Sequence, residues 1–240
     1  MTRREEARGR RRSLRVAAGL CLLALFSAGA PALAAISWVN SAESTENLTG
    51  TAPVNTPAGV QNNDVMIAYA TCKGNHALTE PGGWTQVFNA PESGSALSHA
   101  AWYRVATNGE TGPYSFGGAG GDGMLAAVYA FRDVDTTAPT NVWAQVNGAS
   151  GNPDPPQVTT TENGCEIVAL GAVSKKNAQD SNFWAPPGGY TEREDSEHDN
   201  QDISQTMAHK NQATSGAEDP GAFTPDVADK WCAGTIALRP

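Results

Sequence analysis

Asp64-Val65-Met66-Ile67-Ala68-Tyr69 returns roughly a hundred residues later as Cys165-Glu166-Ile167-Val168-Ala169-Leu170, and Pro81-Gly82-Gly83-Trp84-Thr85 returns as Pro187-Gly188-Gly189-Tyr190-Thr191. Outward from these, Ile36 falls on Trp143, Phe116 on Phe223, Ala130 on Ala237 and Arg132 on Arg239, each at a spacing of 107. Residues 36–132 and 143–239 therefore read as two copies of one unit, with slips of register in the loops between. A tandem duplication constrains architecture before any single residue is interpreted.

The first 34 residues read as a secretory signal peptide. Met1 to Arg15 carries seven arginines, Val16 to Ala30 is apolar and small, and Ala32-Leu33-Ala34 has the small residues of a cleavage site. Arg11-Arg12-Ser13-Leu14 loosely matches a twin-arginine export signal. Its removal leaves nine basic against 23 acidic residues, a net charge of −14 on the 206 residues of 35–240. Phosphate recognition needs a basic surface, so nucleic acid is excluded as a partner. No later stretch is long and apolar enough to span a membrane. The expected product is a secreted, extracellular single domain.

The pattern is all-β. Short segments rich in Val, Ile, Tyr, Trp and Ala alternate with clusters of Gly, Pro, Asn, Asp and Ser, and none holds a 3.6-residue period. The expected strands are 36–42, 64–72, 84–89, 98–107 and 124–132, then 143–149, 165–173, 190–194, 203–210 and 231–239. Alternation puts Val65, Ile67, Tyr69, Tyr129, Phe131, Val168, Leu170, Ile236 and Leu238 in the gap between two sheets. The opposite faces carry Ala68, Ala70, Ala126, Ala130, Ala169, Gly171 and Ala237, small enough for loops to lie over them. Neither copy buries its inner face alone, so the two form one sandwich. A jelly roll is two Greek keys about a pseudo-twofold, and in it 64–72 would pair with 231–239, and 165–173 with 124–132.

Features kept in both copies most economically serve the fold. On that ground Trp84 and Tyr190 cover the core edge and Arg132 and Arg239 are strand-end charges. The segments Asn63 to Tyr69, Pro81 to Thr85, Trp102-Tyr103-Arg104-Val105-Ala106-Thr107 and Ala127 to Arg132 together resemble a widespread group of secreted bacterial and phage-associated duplicated jelly-roll (concanavalin-like) proteins. That resemblance implies the fold and a binding role at a surface or virion. The second copy departs from it, with His209-Lys210-Asn211-Gln212 where the first has Trp102-Tyr103-Arg104-Val105.

Features of one copy are the functional candidates. Glu192 to Asp202 holds six carboxylates in eleven residues, and they repel one another unless solvent or a cation relieves them. Two readings stand: a solvated hairpin tip, or a calcium site using Asp195, Asp199 and Asp202. Glu192, Glu194 and Glu197 also resemble the Glu-x-Asp-x-x-Glu strand motif of laminarinase-type glycoside hydrolases, the enzymatic alternative. Phe183 and Trp184, beside Glu194 and Glu197, are candidates for stacking on a sugar, or they cap one end of the sandwich. Trp38, Trp102, Trp143 and Trp231 fall within strands and read as core or core-edge residues. After Cys21 leaves with the signal, Cys72, Cys165 and Cys232 remain, and the expected strand pairing favours a Cys72–Cys232 bridge, against which side-chain parity argues. The function expected is a non-enzymatic binding or surface-structural module for glycan or cell-envelope material.

Overall fold

Every segment that alternates in the sequence is a strand in the computed structural model, which describes residues 34–45, 50–90, 97–120, 122–175, 184–198 and 200–240. The signal segment lies outside them except for its last residue. In chain order the strands are β1 (Ser37–Glu43), β2 (Ala52–Val54), β3 (Val65–Lys73), β4 (Thr85–Ala90), β5 (Leu97–Val105), β6 (Tyr114–Phe116), β7 (Met124–Arg132) and β8 (Thr140–Gly148). They continue as β9 (Val158–Thr159), β10 (Cys165–Val173), β11 (Trp184–Ala185), β12 (Thr191–His198), β13 (Ile203–Gln212), β14 (Ala217–Glu218), β15 (Thr224–Pro225) and β16 (Trp231–Leu238). No helix occurs among the described residues.

Each copy makes a whole sheet. The first is ordered β1-β7-β3-β5-β4 and the second β8-β16-β10-β13-β12, the same arrangement strand for strand and antiparallel throughout. The jelly-roll exchange expected from the sequence does not form: β3 pairs with β5 and β7, and β10 with β13 and β16. Five strands of one copy already satisfy their ladders among themselves. Only the apolar inner face then needs a partner, and the second copy supplies it.

Three layers of side chains result. Val65, Ile67, Tyr69, Tyr129, Phe131, Val168, Leu170, Ile236 and Leu238 all lie in the cluster between the sheets. Ala68, Ala70, Ala126 and Ala130 face outward beneath Trp84, Trp102, Tyr114 and Phe116. On the other side Ala169 and Ala237 lie with Trp184, Tyr190 and Phe223. A Cβ added at Gly171 would come within 2.9 Å of the Phe223 ring, so the close approach requires glycine there. The repeated features are structural, as their repetition implied. Trp84 is buried edge-on against Tyr114 and Phe116, and Tyr190 donates to Glu218 Oε1 at 3.0 Å. Arg132 grips Asp64 through two hydrogen bonds of 2.9 and 2.7 Å, and Arg239 pairs with Glu162 at 2.9 Å.

Ladder partners fix which positions correspond. Phe131 stands opposite Trp38 and Tyr129 opposite Ser41, while Leu238 stands opposite Thr140 and Ile236 opposite Trp143. The counterpart of Trp143 is therefore Ser41 and not Ile36. Thr85 faces Tyr103 as Thr191 faces His209, so His209 replaces Tyr103. Bulges recur at matching places, at Val39 and Asn141 in the first strand of each copy and at Val87 and Arg193 in the third. About the pseudo-twofold, β1 meets β12 along one edge of the sandwich and β4 meets β8 along the other.

Candidate functional site

Most of the acidic stretch, Glu192 to His198, is a strand, and Asp202 lies in the turn that follows it. β12 lies at the edge of the second sheet, and its residues from Arg193 to His198 alternate between outward and buried positions. Residues opposite one another in an antiparallel pair share a face. Glu194, Ser196 and His198 stand opposite Met207, Gln205 and Ile203 and so point into the sandwich, whereas Glu192, Asp195 and Glu197 stand opposite Ala208, Thr206 and Ser204 and point out. The bulge at Arg193 reverses the parity between Glu192 and Glu194. It thereby splits the three carboxylates of the glycosidase-like motif across two faces of the sheet.

Glu194 occupies the position that Phe88 holds in the first copy, each directly after the bulge of its strand. Its carboxylate is buried between the sheets. Tyr129 donates to Oε2 at 2.7 Å, and Ser196 Oγ and Gln205 Nε2 donate to Oε1, the latter at 3.4 Å. Gln205 Oε1 in turn accepts from Thr71 Oγ1 at 2.9 Å. Thr71 and Tyr129 belong to the first sheet, Gln205 and Glu194 to the second, so this polar belt ties the two copies together. Burial pushes the Glu194 carboxyl up to about 8, well above the ordinary carboxylate range, despite the donors that favour the anion. Farther along, Tyr69 OH meets His99 Nδ1 at 3.3 Å and His99 Nε2 meets Gln145 Oε1 at 3.2 Å; burial pushes His99 down to about 4.

Along the β1/β12 edge an open depression of about 440 Å³ is lined by Trp38, Ser41, Glu192, Arg193 and Asp195 among others. Its aromatic is already engaged. Trp38 stacks on His209 at 5.4 Å between centroids, and the Arg193 guanidinium lies 5.1 Å from the Trp38 ring centre. Arg193 Nε donates to His209 Nε2 at 2.8 Å, leaving His209 Nδ1 to donate to Glu166 at 2.5 Å. Burial raises Glu192 to about 7, with Thr206 donating to it at 3.1 Å.

The β4/β8 edge is built oppositely. Trp143, 45 % exposed, is the large apolar side chain that the described residues leave open to solvent. Phe88 backs it at 5.9 Å, and both rings sit on the core side of their strands. Gln145 and Asn147 follow at alternate positions of β8, opposite Gly234 and Cys232, so all three side chains line one face of one edge strand. Asn147 Oδ1 is buried without a hydrogen-bond partner. An open indole flanked by two amides is a surface that can stack on the apolar face of a sugar ring and hydrogen-bond its hydroxyls.

The other expected site residues are placed differently. Trp184 is buried edge-on against Phe223 at 5.9 Å and caps the outer face of the second sheet, so it is not an open stacking platform. Phe183 and Asp199 lie outside the described residues. Asp195 points outward from β12, and Asp202 sits in the following turn at a φ of 51°. Among the described residues no three or more His, Cys, Asp or Glu are grouped to hold a metal ion. The Cys72–Cys232 bridge does not form: all three cysteines are buried and none is in a disulfide. Parity decides it: Cys72 faces outward from the first sheet, Cys232 faces the core from the second, and Cys165 faces outward from the second. Burial pushes Cys72 up to about 12 and raises Cys165, which keeps both as thiols.

No family model, curated protein or solved structure matches this chain. The expectation that Trp143 is a core or core-edge residue rests on its place within a strand, which does not show that the strand lies at the sheet edge. With Ser41 as its counterpart, Trp143 is a large aromatic present in one copy alone, the signal that marked the other candidates.

Proposed function

We propose that the protein is a secreted, non-enzymatic binding module that recognises glycan or cell-envelope material along the β4/β8 edge. The observation that carries this reading is the half-exposed Trp143 with Gln145 and Asn147 at alternate positions of the same edge strand. Indole stacking supplies apolar contact to a pyranose face, and the exposed Gln145, at the strand spacing of about 6.6 Å between alternate residues, offers its amide N–H to a ring hydroxyl. Phe88 holds the indole from behind, which reduces the ordering cost on binding.

A glycan-array screen of residues 35–240 tests it, with Trp143→Ala and Trp184→Ala beside the parent. Binding that is lost in Trp143→Ala and in Gln145→Ala supports the site. Binding that survives Trp143→Ala would move the site elsewhere. No binding to any glycan, together with concentration-dependent assembly in sedimentation, would favour a structural subunit of a surface layer or virion.

A further inference from the structure

We propose that Thr71 and Gln205 form an internal ester that covalently joins the two sheets. The pair has the parts such a bond requires. Thr71 Oγ1 donates to Gln205 Oε1 at 2.9 Å, one bond removed from the amide carbon it would attack. Both side chains are fully buried, so water is kept from competing for the amide and from hydrolysing the product. The neighbouring strands fix both partners, which makes the encounter effectively unimolecular. Glu194 Oε1 lies 3.4 Å from Gln205 Nε2, against the atom that must leave.

Atoms and charge balance without any added reactant. Thr71 Oγ bonds to Cδ of Gln205, and its proton passes to Oε1, to which it already hydrogen-bonds. Collapse of the tetrahedral carbon restores the carbonyl and breaks the Cδ–Nε2 bond. The Glu194 carboxyl gives a proton to the departing nitrogen and recovers one from the hydroxyl at Oε1, so the product is an ester and ammonia. Burial keeps Glu194 in the protonated form that this step uses. Ammonia escapes and is diluted, which draws the reaction forward. The bond would give an exported sandwich without a disulfide a covalent tie between its halves.

A second threonine–glutamine pair provides an internal comparison. Thr160 Oγ1 donates to Gln212 Oε1 at 2.8 Å, but there Gln212 Nε2 donates to the Gly216 carbonyl, which cannot protonate a leaving nitrogen. The proposal therefore assigns a bond to one pair and none to the other.

Mass spectrometry of the purified full-length product, in whatever processed form it is recovered, decides the matter. The expected mass is that of the recovered sequence less one ammonia, and trypsin should release the peptide ending at Lys73 joined to residues 194–210. Hydroxylamine should separate the two. Thr71→Val and Gln205→Leu should restore the full sequence mass, Thr71→Ser should still lose ammonia, and Glu194→Gln should leave much of the chain unjoined. A parent mass equal to the sequence mass overturns the proposal whatever the variants do, as does an ammonia loss mapped to another position.

Discussion

The two edges of this sandwich are related by the pseudo-twofold, yet one leaves its tryptophan open to solvent while the other covers its tryptophan with charged and polar groups. At the β4/β8 edge Phe88 supports an exposed Trp143; at the β1/β12 edge the matching positions are Glu194 and Ser41, and Trp38 is covered by Arg193 and His209. His99 on one side corresponds to Gln205 on the other, so the interior polar groups differ as well. The matching strand orders of the two sheets give two equivalent edges, and the fold needs neither in a particular chemistry. What both copies kept, the glycine turns and strand-end arginines, holds the sheets; what only one kept is free to serve a ligand or an inter-sheet tie.

Making the two edges alike should break the fold most severely. Phe88→Glu would place a second carboxyl at the equivalent position without the Tyr129, Ser196 and Gln205 donors that satisfy Glu194. Loss of a buried phenylalanine alone costs about 3–5 kcal/mol, and an unsatisfied polar group adds to it. Denaturant unfolding should show the loss of most of the stability, or no folded protein. The smaller perturbation is Glu194→Ala, which strands the buried Tyr129 hydroxyl and should cost about 1–3 kcal/mol. A change under about 0.5 kcal/mol would mean that the belt contributes little to joining the sheets.

Titration separates the edges further. Glu194 is raised from 4.5 to about 8, so its neutral form is the folded one, and stability is lost as pH rises from the unfolded value through the folded one. His99 is lowered from 6.5 to about 4, so the stability it contributes is present above the unfolded value and lost as pH falls through the folded one. Between 4.5 and 6.5 the two slopes oppose each other. Unfolding midpoints should therefore be nearly flat there, falling on the acid side because of His99 and up to about pH 8 because of Glu194. Glu194→Gln should remove most of the alkaline fall and leave the weaker contribution of Glu192, which is raised to about 7. An unchanged alkaline slope in that variant would place the titrating group elsewhere.

Strand positions and faces were legible because alternation records which side of a sheet a residue takes, and the inner set from Val65 to Leu238 lies where alternation puts it. Alternation says nothing of neighbours, so the exchange of strands between copies was an inference from topology alone, and each copy instead completes its own ladders. Bulges were invisible for a related reason. One extra residue leaves no mark in composition, yet Asn141 puts Trp143 on the core side of β8, and Arg193 turns Glu194 inward. The strand expected over 190–194 runs on to His198, an extension that hydrophobic patterning cannot register because its buried positions are the polar Ser196 and His198.

Trp143→Ala should have the smallest effect on stability and the largest on binding. The ring is 45 % exposed, on an edge strand, and its contact with Phe88 is one tilted pair worth about 0.5–1.5 kcal/mol. Its removal should lower stability by about 1 kcal/mol, far less than the loss at Phe88 beneath it. If the indole serves the fold, as its counterpart position Ser41 gives no reason to expect, the loss would approach that of a buried tryptophan, about 3–5 kcal/mol. Unfolding of Trp143→Ala thus measures directly whether the open edge is maintained for packing or for a ligand, independently of knowing which ligand it is.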